Sequence, residues 1–131
     1  WISPEFDKSS AKEIDYINQI KSYIKKDKRK KMLLTNYSFF SAILDEKLFS
    51  PSFAYTLDGT THPLKGNKFA AKYKKLIVDI IKKNNIKVIY IAGTLENKHI
   101  YHFFNKNCFN EVSVFDYLTI YELNDCNEIS G

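Results

Sequence analysis

The run Ile86-Lys87-Val88-Ile89-Tyr90-Ile91-Ala92 decides the fold. It is almost continuously apolar and rich in β-branched residues. A strand that reads this way is covered on both faces, which is the habit of a central, parallel strand. Immediately upstream, Phe69, Tyr73, Leu76, Ile77, Ile80 and Ile81 recur at helical spacing over residues 68–84. That stripe predicts an amphipathic helix, with Lys68, Lys72, Lys74, Lys75, Lys82 and Lys83 mostly outside it. Asn84-Asn85 supplies the stop, because Asn tolerates the left-handed conformation at a helix end. A helix, a tight turn and a buried strand make the second half of a βαβ unit.

Working outward, Ser10-Ala11-Lys12-Glu13 fits a capping box. Ile14, Ile17, Ile20 and Ile24 then predict a helix over residues 11–26. It runs into Lys25-Lys26-Asp27-Lys28-Arg29-Lys30-Lys31, a cation cluster suited to the negative end of a helix dipole or to an anionic surface. Met32 to Asn36 reads as a buried strand. Ser38 is placed to cap a short helix carrying Phe39, Phe40, Ile43 and Leu44, and Lys47 to Ser50 reads as a second short strand. A helix over 95–105, capped by Thr94, follows the central strand. Residues 111–115 and 117–123 read as one strand or as two pieces broken near Asp116-Tyr117. The alternation of Leu118 and Ile120 with Thr119 and Tyr121 suits an edge strand. The expected fold is α/β: a three-layer α/β/α sandwich, Rossmann-like, around a small, mostly parallel sheet of about four or five strands.

Composition excludes whole classes. The 131 residues are 44% hydrophobic and 27% charged, with 4 Gly and 3 Pro, so the chain is neither collagen-like nor mostly disordered. No apolar run is long enough to span a membrane. The net charge is +5, but 19 of the 20 basic residues are Lys and only Arg29 is Arg. Readers of base edges favour the planar fork of Arg, so no specific nucleic-acid partner is expected. The two cysteines, Cys108 and Cys126, lack zinc or redox spacing and leave a single disulfide open.

Residues 51–67, PSFAYTLDGTTHPLKGN, hold two of the prolines and two of the glycines and keep no regular period. Irregular stretches this long are often functional. Phe53, Tyr55 and Leu57 alternate, so one face can pack on the domain. Tyr55, Asp58, Thr60, Thr61, His62 and Lys65 are the candidate binding residues. Thr56-Leu57-Asp58-Gly59-Thr60 is similar to the haloacid dehalogenase signature, but Thr56 stands where that chemistry needs a nucleophilic carboxylate. No Gly-rich phosphate loop occurs, and His99 and His102 form an incomplete zinc set. No catalytic residue, metal or cofactor is expected.

Residues 14–123 resemble the soluble domain that follows the last membrane span in bacterial GT-C type polytopic glycosyltransferases, a group that uses polyprenyl-phosphate-sugar donors. The resemblance lies in the order of elements: a helix from Ile14 to Lys26, a strand from Met32 to Thr35 followed by Asn36-Tyr37-Ser38-Phe39-Phe40, then Ile86 to Ile91 with a last helix and strand behind. It implies a non-catalytic accessory domain whose partners are the membrane part of the parent chain and a lipid-linked sugar or glycan. It also implies a place on the periplasmic face of a bacterial inner membrane. The alternative is a free-standing cytoplasmic α/β domain that binds a small ligand or partner protein through the 51–67 loop. Residues 1–6 read as linker or cloning-derived, 7–124 as one domain and 125–131 as a polar tail.

Overall fold

The computed structural model describes residues 9–52, 54–55, 61–93 and 106–124. The expected helix over 95–105, its two histidines and the polar tail therefore lie outside the described residues. Helix α1 spans Ser10–Lys26. Its N-cap is Ser9, whose hydroxyl accepts from the Lys12 amide, so the expected capping box is shifted by one residue. Glu13 consequently faces inward with Ile17, Ile20 and Ile24, and is fully buried. At the other end Lys31 turns back, only 3% exposed. Its Nζ donates to the carbonyls of Ile24 (3.1 Å) and Asp27 (2.6 Å) and pairs with Glu46 at 3.1 Å. The last carbonyls of a helix lack intrahelical partners, and this buried cation supplies them. Lys31 is thus part of the packing rather than of a solvated cluster.

Strand β1 is Lys31–Thr35, α2 is Phe40–Leu44, α3 is Ala70–Lys83, β2 is Val88–Ala92, β3 is Phe109–Phe115 and β4 is Leu118–Leu123. The sheet order is β1-β2-β4-β3. β1 runs parallel to β2, with Met32 opposite Ile89 and Leu34 opposite Ile91. The β2–β4 and β4–β3 pairs are antiparallel. The fold is mixed α/β, but the expectation of a mostly parallel, Rossmann-like sheet is corrected. β3 runs in the same direction as β2, and the chain then turns back at Asp116-Tyr117, so that β4 is inserted antiparallel between β2 and β3. β4 sits inside the sheet and β3 beside it, the reverse of the edge assignment for residues 117–123. Thr119 and Tyr121 are buried despite their hydroxyls, so alternation of apolar and polar types did not mark a solvent face.

Each face of the sheet has its own core. Leu33, Val88, Tyr90, Leu118 and Ile120 meet α1 and α2 on one side. Met32, Leu34, Ile89, Ile91 and Tyr121 meet Ile77 and Ile81 of α3 on the other. α3 is rotated relative to its expected stripe. Ile77, Val78 and Ile81 are buried, whereas Leu76 and Phe69 are 47% and 53% exposed. Asn85 takes the left-handed conformation (φ 52) that ends the helix.

Residues 47–50 form no regular strand. They are the start of a strap along the outer edge of β1. The Leu33 amide donates to the Leu48 carbonyl (3.3 Å), the Tyr55 amide donates to the Thr35 carbonyl (2.8 Å), and the Ser50 hydroxyl donates to the Leu33 carbonyl. Leu48 packs in the first core and Phe49 against the second, so the strap carries the chain from one face of the sheet to the other. Just before the β3–β4 hairpin, Cys108 is fully buried and disulfide-bonded; the other cysteine of the chain, Cys126, lies outside the described residues.

All five positions of β2 are buried. Ile89→Ala should therefore destabilise the domain by about 2–5 kcal/mol in urea unfolding. A loss below about 1 kcal/mol would contradict two-sided burial of β2.

Candidate functional site

The chain segment between β1 and the strap builds a cleft. The Tyr37 amide donates to Thr35 Oγ1 (3.1 Å), a local turn that ends β1 and swings the Tyr37 ring inward. Its hydroxyl donates to the buried Glu13 carboxylate at 2.7 Å. The Tyr37, Phe39 and Phe40 rings then pack together with centroids 5.2–5.9 Å apart. They hold the entry to α2, which starts at Phe40 without a side-chain cap, so the expected Ser38 cap does not form. Asp45, at φ 50, stops the helix and turns the chain into the strap.

The resulting cleft has a volume of about 390 Å³, in the range of small-ligand sites. Phe40, Leu48, Phe49 and Pro51 give it apolar walls, and Ser38, Ser41, Ser50 and Ser52 line it with hydroxyls. The Lys47 ammonium lies 4.9 Å from the centre of the Phe49 ring, and Glu46 is held by Lys31. Phe49 has φ 52. A bulky side chain in the left-handed region costs on the order of 1–3 kcal/mol, and such strain concentrates where geometry serves more than folding. At the far end of the parallel pair, Gly93 has φ 87, and a Cβ there would meet Asn36 Oδ1 at 1.9 Å. Only glycine satisfies both the turn and that approach.

Of the residues singled out in the 51–67 segment, Phe53, Leu57, Asp58 and Thr60 lie outside the described residues. Tyr55 is buried at 2% exposure, and its hydroxyl is 2.6 Å from that of Tyr73 on α3. Ser52 Oγ joins the same hydroxyl at 3.2 Å and donates to the Thr61 carbonyl. His62, also buried, packs its ring on Tyr55 with centroids 5.1 Å apart, and Thr61 Oγ1 is 3.3 Å from its Nδ1. Burial drives the Tyr55 phenol far above its ordinary value, and the Tyr73 hydroxyl adds to the shift against a smaller opposing effect of Ser52. Thr61 and Lys65 are exposed. The structure thus brings Tyr55, Thr61 and His62 together, as an anchor of the segment on α3. None of the described four is among the residues lining the cleft. The cleft residues were missed because they come from a turn, a helix and a strap; the one signal in the sequence was the density of Ser and aromatic residues over 37–52.

A second group of titratable side chains clusters at the end of α1. Asp27 accepts from the Arg29 amide and Nε (both 3.0 Å), from Arg29 Nη2 (2.8 Å) and from the Tyr90 hydroxyl. Arg29 also reaches Glu122 at 3.4 Å. Burial alone would raise the Asp27 carboxyl, but the Arg29 and Tyr90 hydrogen bonds and the Arg29 charge outweigh it and lower it from 3.8 to about 2. Burial, then Asp27, raises the Tyr90 phenol. The hydrogen bond to Asp27 raises the Arg29 guanidinium, against the cost of burial. Each of these groups points at another, and together they tie α1 to the sheet. Among the described residues no set of three or more His, Cys, Asp and Glu could hold a metal ion.

Two outcomes follow from these contacts. Because folding lowers the Asp27 pKa, its contribution is complete above about pH 4 and is lost as the pH falls through about 2. Asp27→Asn should thus cost on the order of 2 kcal/mol at neutral pH and flatten the acid limb of the stability profile. Tyr73→Phe should cost about 1 kcal/mol and speed hydrogen exchange of the Tyr55 amide while leaving β2 protected. Equal exchange in wild type and variant would mean that this hydroxyl does not anchor the segment.

Compared with protein-family models, curated proteins and solved structures, the chain matches none, so its function is argued from its own residues.

Proposed function

We propose that this chain is a non-catalytic binding domain whose ligand is a neutral, polyhydroxylated molecule such as a glycan, taken up in the cleft between α2 and the strap. The observation that carries the reading is the composition of that cleft: apolar walls that include the strained Phe49, set beside four serines, of which Ser50 and Ser52 already donate within the fold and Ser38 and Ser41 are left to donate to a ligand. Sugar rings present an apolar face and a rim of hydroxyls, and a site with both kinds of surface suits them. Glu46 is paired with Lys31, and Lys47 is, among the described residues, the one cation in the cleft lining, so the site lacks the cluster of cations an anionic ligand would call for. The perturbed titratable groups, Asp27, Arg29 and Tyr90 at the end of α1 and Tyr55 in the anchor on α3, are held by one another or by Tyr73, and none lines the cleft, which favours binding over turnover.

Within this reading the domain is the accessory part of a GT-C type membrane glycosyltransferase, presented on the outer side of the membrane. The disulfide at Cys108 supports an oxidising compartment. Two helical layers, α1 with α2 and α3, on opposite faces of one sheet support a three-layer arrangement like that of the group it resembles. Among the described residues no helix is long and apolar enough to cross a membrane, so attachment would come from another part of the parent protein.

Titration of the isotopically labelled chain with a panel of soluble hexose and amino-sugar oligosaccharides tests the site. The expected shifts fall on Ser38, Ser41, Phe49 and Ser52, and Ser41→Trp should reduce affinity about tenfold or more by filling the cleft. Shifts confined to Thr61 and Lys65 would move the site to the 51–67 loop, and no shifts with any sugar would remove the glycan reading.

A further inference from the structure

We infer that the outer face of α3 and the turn before it form a docking surface for an anionic lipid bilayer. The inference is independent of the cleft and of what occupies it. It starts from charge. Residues 64–83 contain seven lysines and a single acid, Asp79, for a net +6, which exceeds the +5 of the entire chain. The remainder is therefore net −1, and the excess positive charge is concentrated rather than spread. Lys65, Lys68, Lys72, Lys75, Lys82 and Lys83 are all exposed.

The second observation is apolar. Leu64, Phe69 and Leu76 are 38%, 53% and 47% exposed, unusually wet for such residues. Phe69 and Leu76 are two helical turns apart and so stand almost in line along the helix. Lys72 and Lys83 lie within about 40° of arc to one side of Leu76, and Lys68 and Lys75 lie about 80–100° round on the same side, with Asp79 the one acid among them. Lys68 already reaches over the Phe69 ring, with Nζ 5.0 Å from its centre. The buried side, Ile77, Val78 and Ile81, is fixed on the sheet, so the helix cannot turn its wet apolar residues inward.

Exposed rings and aliphatic side chains among lysines are the pattern of a helix lying in a lipid headgroup layer, with apolar tips dipping in and ammonium groups on the phosphates. Phosphate is the shared chemistry of lipid and nucleic acid. The apolar residues favour lipid, because a nucleic-acid groove of lysines gains nothing from an aliphatic Leu64 or Leu76.

Co-sedimentation of the full chain with vesicles tests the inference. Binding is expected to phosphatidylcholine vesicles that contain phosphatidylglycerol and not to pure phosphatidylcholine, and to weaken as salt is raised. Each of Lys68→Glu, Lys72→Glu, Lys75→Glu and Lys83→Glu should reduce partitioning about fivefold or more, and all four together by at least about a hundredfold. Phe69→Ser with Leu76→Ser should keep the attraction at low salt and lose about tenfold at higher salt. These side chains are exposed, and circular dichroism checks that the variants stay folded. Failure of the folded wild type to bind anionic vesicles, or equal binding to neutral ones, overturns the inference. So does tighter binding to a single-stranded oligonucleotide that the same four substitutions abolish. None of the substituted residues lines the cleft, so the sugar titration should be unchanged by them and the two readings fail separately.

Discussion

The structure depends on burying β2 on both faces at once. A strand reading VIYIA offers no side to water, so whatever flanks it must supply an apolar layer above and another below. α1 and α2 meet one demand, α3 the other. The chain that joins them has to pass round the edge of the sheet. The strap is that passage, and it also pairs with the outer edge of β1, where exposed amides and carbonyls invite unwanted strands. The cleft is a by-product of the same constraint: a connector that must leave one layer and reach another cannot pack tightly against both.

This dependence explains what could be read from the sequence. The central strand was legible because its signal is one-dimensional: every residue in a short run is apolar. The extent of α3 was legible from periodicity and from the Asn pair that ends it. Its rotation was not, because its apolar residues cover more of the circumference than the sheet can bury, and nothing local says that Val78 goes in while Leu76 stays out. Glu13 illustrates a further limit. Locally it resembles a capping residue; its burial depends on Tyr37, which arrives only after β1 and its turn have formed. The direction of β4 escaped for a similar reason. Tyr and Thr suit buried strands as well as wet ones, and alternation alone does not distinguish them. The cleft was invisible as a motif, since its lining comes from the end of β1, the entry to α2 and the strap and keeps no recurring spacing.

Charge in this protein has two distinct uses. At the end of α1, Lys31 and Arg29 are spent inward, on carbonyls, Glu46 and Asp27. There geometry is fixed and hydrogen bonds carry the energy. Arg, with a forked donor array, takes the position where one carboxylate must be gripped twice. On α3, Lys72, Lys75, Lys82 and Lys83 are exposed at helical spacing, and among the described residues no ion pair holds them. The same excess of lysine therefore stabilises one end of the sheet and leaves another surface available.

Gly93 and Asn36 close the ends of the two parallel strands against each other, and the side chain at 36 fills the space a Cβ at 93 would need. A substitution at 93 therefore meets two obstacles of different kinds. One is a neighbouring side-chain end, which a smaller residue at 36 would remove; the other is the positive φ, which no change at 36 relieves. Glycine at 93 is the fixed half of this closure, and residue 36 is the adjustable half.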